Sequence, residues 1–145
     1  MILYLDASAL VKRYVAEAGS ADVAAAIAEA RLLATAIISR AEVTAALAKA
    51  VRLGLATRND AAAGLADFEA DWPDLIRLEV SEAVVARAAS VAWQQGLRGY
   101  DAVHLASALQ WQAALGDPVT VATYDRELWR GAQNSGLVHW PADMP

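Results

Sequence analysis

Cysteine is absent from the 145-residue sequence, which excludes a disulfide framework, a thiolate zinc site and a cysteine nucleophile. The two histidines, His104 and His139, form no HExxH. Neither GxxxxGK[ST] nor GxGxxG occurs, so phosphate-cradling glycine loops of those types lack support. No apolar run approaches the ~20 residues of a transmembrane helix. The opening Met1-Ile2-Leu3-Tyr4-Leu5-Asp6 has no basic n-region and meets a carboxylate at once, so no signal peptide is expected and a cytoplasmic location is. Basic residues are also few: 12 Lys plus Arg stand against 17 Asp plus Glu, a net charge of −5. This argues against nonspecific nucleic-acid binding through a basic surface, but leaves open a nucleic-acid enzyme whose acids hold metal ions. What is abundant is alanine, about a quarter of all positions within a hydrophobic share of 57%. Alanine is the best helix former, so that share predicts helix-rich packing. The five tryptophans are scattered singly and are expected as core or interface anchors rather than base-stacking platforms.

The length fits one domain, residues 1–145, with no linker, repeat or low-complexity tract. Five segments are predicted as strands: Ile2–Leu5, Leu32–Ala36, Leu75–Val80, Val119–Ala122 and Leu137–Trp140. The first four are mostly continuous apolar runs, as in parallel strands covered on both faces. Helical patterns alternate with them. One is opened by Ser20 and runs to about Ala30. A second starts in the capping-box pattern Ser39-Arg40-Ala41-Glu42 and closes at Gly54. Thr57 opens a third, stopped at Trp72-Pro73. Others run from Ser81 to near Gly96, from Asp101 to near Gly116, and from about Asp125 to Gly136. Alternating strands and helices imply an α/β fold, a three-layer α/β/α sandwich around a short parallel sheet.

Ligands in open α/β sheets bind beyond the carboxyl ends of the strands, and the polar residues expected there are acids. Asp6 follows the first strand, Glu42 lies in the first helical turn after the second, and Asp125 follows the fourth. Asp101 opens a helix whose N-terminus reaches the same side only if the helix pair folds over suitably. Each acid also has a structural reading: Asp6, Asp101 and Asp125 as helix N-caps, and Glu42 as the partner of Ser39 in the capping box. Several carboxylates on one edge repel one another unless cations intervene. An oxygen-only set suits magnesium or manganese, ions that activate water and clamp phosphoryl groups. Ser8 and Thr123, two residues from Asp6 and Asp125, could orient these groups or serve as turn and cap hydroxyls. His104 lies three residues after Asp101 on the same helix face and reads as a core or partly buried histidine.

These residues resemble the motifs of PIN-domain ribonucleases, especially the VapC-type toxins of bacterial toxin–antitoxin pairs. Leu3-Tyr4-Leu5-Asp6-Ala7-Ser8-Ala9-Leu10-Val11-Lys12 is similar to the family's opening, Ser39-Arg40-Ala41-Glu42-Val43 to its second motif, Leu97 to Ala106 (Leu-Arg-Gly-Tyr-Asp-Ala-Val-His-Leu-Ala) to its third, and Thr123-Tyr124-Asp125-Arg126-Glu127-Leu128 to its fourth. All four appear in family order. The resemblance implies an acidic pocket of Asp6, Glu42, Asp101 and Asp125 binding Mg2+ or Mn2+, with Ser8 and Thr123 as supporting hydroxyls. It also implies metal-dependent hydrolysis of RNA, a homodimer and a cognate antitoxin whose cations enter the acids. Leu10 and Tyr14 would offer that antitoxin an apolar groove. Lys12, Arg13, Arg98 and Arg126 are candidate cations for RNA, each otherwise a solvated surface charge. Other readings are a housekeeping RNA-processing nuclease, a catalytically silent interaction module, and a phospho-accepting receiver domain. The last would need a lysine late in the sheet, and none follows Lys49.

Overall fold

The computed structural model describes residues 1–145. Its strands are β1 (Ile2–Leu5), β2 (Leu32–Ala36), β3 (Ile76–Leu78), β4 (Val119–Ala122) and β5 (Val138–Trp140). All neighbouring pairs are parallel, in the order β3-β2-β1-β4-β5. The helices are α1 (Ala7–Leu10), α2 (Ser20–Glu29), α3 (Ser39–Arg52), α4 (Arg58–Asp71), α5 (Glu82–Gln95), α6 (Gly99–Leu115) and α7 (Arg126–Asn134). None is long and apolar enough to cross a membrane.

The central strand β1 explains the layering. Successive side chains of a strand point to opposite faces. Ile2 and Tyr4 join a core with α5, α6 and α7, while Leu3 and Leu5 join another with α1, α2, α3 and α4. All four are buried. Helices on both faces make the expected α/β/α sandwich. Within the second core, Tyr14 and Trp72 pack edge-on against Phe68. Gly64 of α4 comes so close to the Tyr14 backbone that a Cβ would lie 2.3 Å from its carbonyl oxygen.

Three strands have the expected bounds and two are shorter. The Leu75–Val80 segment forms a ladder only over Ile76–Leu78, because β3 is an edge strand pairing with β2 alone. Ile76 and Arg77 are exposed, so coverage on both faces fails there. Leu75 turns into the core behind the 3-10 turn Trp72–Asp74. β5 begins at Val138 rather than Leu137.

The helix starts divide similarly. Thr57 and Ser81 cap α4 and α5, accepting from the backbone N–H of Asp60 and Val84. Ser20 is the first helical residue after Gly19, not the cap; its hydroxyl donates to the Val15 carbonyl instead. The Ser39 capping box does not form. Ser39 already lies inside α3, behind Ile38, and its buried hydroxyl pairs with Thr35 at 2.6 Å. α6 begins at Gly99, which puts Asp101 in its first turn and overturns the reading of Asp101 as an N-cap.

Candidate active site

Asp6 directly follows β1 and is only 4% exposed. Its Oδ1 accepts from the Ala9 backbone N–H (3.0 Å), so it caps α1. The Ser8 hydroxyl also donates to it, lying 2.8 Å from Oδ1 and 2.9 Å from Oδ2, and the Thr123 hydroxyl donates to Oδ2 at 2.9 Å. Both hydroxyls in turn accept backbone N–H groups beyond β4: Ser8 from Tyr124 (2.8 Å) and Thr123 from Asp125 (3.0 Å). The pair thereby fastens the carboxyl end of β1 to that of β4. Burial pushes the Asp6 carboxyl above its ordinary value, against the positive potential of His104 and the bonds from Ser8, Ala9 and Thr123.

Asp125 caps α7 through Oδ1, which accepts from the Glu127 and Leu128 N–H groups. Its Oδ2 takes a guanidinium hydrogen bond from Arg98 at 2.5 Å, and the same side chain donates to Asp101 Oδ2 at 3.0 Å. Arg98 thus bridges the two acids while its side chain remains 73% exposed. Partial burial and the neighbouring charge of Asp125 push the Asp101 carboxyl up, with Arg98 and His104 opposing. α5 and α6 form a hairpin whose turn carries Arg98. That geometry brings Asp101 to the same sheet edge as Asp125.

Glu42, on α3, does not reach back to the Ser39 backbone. Its Oε1 bonds His104 Nε2 at 2.7 Å, and His104 Nδ1 bonds the Tyr4 hydroxyl at 2.7 Å. His104 is 2% exposed, which fits the core reading of the sequence, but it is also a partner of a candidate site acid. Burial pulls the imidazole down; the Glu42 bond and the charges of Asp6, Glu42 and Asp101 outweigh it, leaving His104 above its ordinary value. Burial likewise pushes the Tyr4 phenol well above its ordinary value, so it remains a hydroxyl.

Three of the candidate acids are thus connected at one sheet edge, Asp6 to the Asp125 turn through Thr123 and Asp125 to Asp101 through Arg98, while Glu42 joins them from α3 with His104 as its partner. Glu42 and Asp101 line an open cleft of about 480 Å³ together with Arg98, Gly99 and Tyr100. Of the four candidate cations only Arg98 reaches the acids. Lys12 bonds Glu17 and lies 4.2 Å from the centre of the Tyr124 ring, Arg13 pairs with Asp71, and Arg126 donates to the Met144 sulfur. Tyr4 carried no signal in the sequence beyond being apolar strand. His104 carried one, its spacing from Asp101.

No three acidic or imidazole side chains are spaced to share one ion in this conformation. The donor chemistry nonetheless fits a hard divalent cation. The available atoms are carboxylate oxygens, and both nitrogens of the one nearby imidazole are engaged. Two of the acids are held above their ordinary values, so added positive charge is favoured. The exposed Arg98 guanidinium already supplies some, between Asp101 and Asp125.

The parallel α/β/α sandwich is the fold the sequence anticipated, and it carries Asp6 just after β1, Glu42 on α3, Asp101 on α6 and Asp125 at the β4–α7 junction. The chain matches the PIN domain over residues 3–133 and belongs to that family. It is 38% identical to ribonuclease VapC45 of Mycobacterium tuberculosis (strain CDC 1551 / Oshkosh) over 148 aligned residues, 99% of this chain and 97% of that protein. Among solved structures it is similar to PAE2754 from Pyrobaculum aerophilum, with a TM-score of 0.66 and 26% identity over 96% of this chain and 89% of that one. The fold is also that of a toxin–antitoxin complex from Klebsiella pneumoniae, with a TM-score of 0.63 and 15% identity over 90% of this chain and 92% of that one.

Proposed function

We propose that this protein is a divalent-metal-dependent endoribonuclease of the VapC type, with Asp6, Glu42, Asp101 and Asp125 holding the ion and Ser8 and Thr123 fixing Asp6 and the Asp125 turn. The observation that carries this reading is the placement of four acids about the carboxyl edge of β1 and β4: Asp6 tied through Thr123 to the Asp125 turn, Asp125 through Arg98 to Asp101, and Glu42 lining one cleft with Asp101. The near-full-length likeness to a ribonuclease supports the reaction class. Magnesium or manganese bound there would supply Lewis-acid activation of water and neutralise charge on the phosphate. The chain's own part is to preorganise. Asp6 is locked by three donors, and Asp125 is fixed by its capping bonds. Asp101 faces the cleft where the RNA backbone would pass. Arg98, 73% exposed and bonded to Asp101 and Asp125, is the side chain that would give way to an ion there, and would then be free to meet an RNA phosphate. The likeness to VapC-type toxins extends the proposal to a homodimer restrained by a cognate antitoxin. Exposed apolar side chains such as Trp93, 91% exposed, offer surface for such contacts.

The test is cleavage of a panel of purified RNAs, mapped at nucleotide resolution, with magnesium, with manganese and with a chelator. Discrete internal cuts that require the metal are expected. Cuts that persist undiminished in the chelator, or in Asp101→Asn, would overturn the reading.

A further inference from the structure

Glu42 reaches the cleft from α3, on one face of the sheet, whereas His104 belongs to α6 on the other. The two meet across the carboxyl edge of β1, whose Tyr4 lies buried behind them. The sheet and both helical layers therefore each contribute one member of a chain of two 2.7 Å hydrogen bonds, Tyr4 to His104 to Glu42. We infer that His104, backed by Tyr4, is a positioning residue that sets the Glu42 carboxylate for the ion; this rests on the metal-site reading above.

A carboxylate oxygen only accepts, so the ring carries a proton on Nε2 and donates it to Glu42 Oε1. In the neutral ring the Tyr4 O–H donates to Nδ1; in the doubly protonated ring Nδ1–H donates to the Tyr4 oxygen instead, and Nε2–H still points at Glu42. His104 is too buried, at 2% exposure, to touch RNA, so it acts only through Glu42. Glu42 Oε2 has no hydrogen-bond partner, and the side chain lines the cleft. One oxygen is anchored and the other presented. A glutamate has three rotatable bonds, and an unanchored one would lose that freedom only on ion binding. An apolar pair of similar volume commonly serves a core as well as a buried polar one. A polar chain ending on a half-exposed acid specifies where that acid points, as partners of metal ligands do.

The test uses the metal-free full chain titrated with manganese alone by calorimetry, with thermal melting in parallel. In Tyr4→Phe/His104→Leu both buried polar groups are removed together, so none is orphaned. Manganese affinity should fall about tenfold while the melting temperature is kept, and the same pair of changes should have no further effect in a Glu42→Gln background. Should that variant not fold, His104→Gln and His104→Asn decide the matter. Gln places an N–H near the position of Nε2 and should retain more affinity than Asn, which is too short. Wild-type affinity in Tyr4→Phe/His104→Leu, an equal loss in the Glu42→Gln background, or equal affinities for Gln and Asn would overturn the inference. Glu42→Gln alone binding manganese as wild type would instead remove Glu42 from the site, a separate failure that the titration distinguishes.

Discussion

Burial holds the Asp6 and Asp101 carboxyls above their ordinary value of 3.8, with Asp125 adding to the rise at Asp101. His104 stands above 6.5 because its acidic neighbours outweigh its burial. A group whose folded value is raised binds its proton more tightly in the folded state. Its contribution to stability is complete below the unfolded value and is lost as pH climbs through the raised one. All three groups act in the same direction, the carboxyls in a window opening above 3.8 and the imidazole in one opening above 6.5. Thermal melting of the metal-free protein should therefore show the melting temperature falling as pH climbs from 6.5 to an alkaline upper pH, less steeply in Asp101→Asn, since the Asp101 charge helps to hold the His104 proton. That variant should melt no lower than wild type at the upper pH, yet lose RNA cleavage by on the order of 10²-fold or more. A rising melting temperature over the same window would contradict the assignment of these shifts.

At the scale of elements, the acids at helix starts combine duties that sequence reasoning offers as alternatives. Asp125 uses Oδ1 to cap α7 and Oδ2 to meet Arg98. Asparagine keeps a capping oxygen but not the charge, and alanine keeps neither. Asp125→Asn is expected to melt near wild type with cleavage lost, whereas Asp125→Ala loses cleavage and a further ~1 kcal/mol of stability. Denaturant unfolding and cleavage assays on the two variants separate the duties; equal stabilities would mean the cap contributes nothing. Glu42 came out the other way. The Ser-x-x-Glu spacing matches a capping box, but the Thr35–Ser39 hydroxyl pair and the His104 bond take both side chains elsewhere. Thr35 stands only four positions before Ser39, but His104 lies in α6, 62 positions from Glu42, a separation no local pattern reports. The same limit explains β3: its apolar run could not reveal that nothing lies beyond it in the sheet. Where the signal was local, as in β1, β2, β4 and the Thr57 and Ser81 caps, the sequence was legible to the residue.

Over the whole molecule, a net charge of −5 adds to the attraction of the acidic edge for cations. An ion that binds only the folded state stabilises it by mass action, about 2.7 kcal/mol at a hundredfold excess over its Kd, or roughly 5–11 °C in Tm for a chain of this size. Differential scanning calorimetry with magnesium or manganese should show that rise, and Asp6→Asn should abolish most of it. An equal rise from sodium chloride at matched ionic strength would indicate screening rather than a bound ion. The four motifs were readable because each is short and contiguous. The convergence of the first, second and fourth followed from the parallel topology, which places every strand's carboxyl end on one side, whereas the third, with Asp101, is brought there by the α5–α6 hairpin. The bridging roles of Arg98 and His104 were not readable, since both depend on how the α5–α6 hairpin folds over the sheet edge.

The fastening of β1 to β4 through Ser8 and Thr123 also bears on time. Asp6 and Thr123 are 117 positions apart, and contacts of such long range form late, after the chain between them has been made and ordered. During synthesis the ribosome releases Asp6 long before Asp125, with β2, β3, β4 and the six helices α1 to α6 emerging between them. A partly translated chain, however well its early helices have formed, has no β4 against which to set Asp6 and so no assembled acidic edge. If the acidic edge is the active site, as proposed, the nuclease is inert while it is being made, beside the cell's own RNA, and becomes competent only when β4 slots in next to β1.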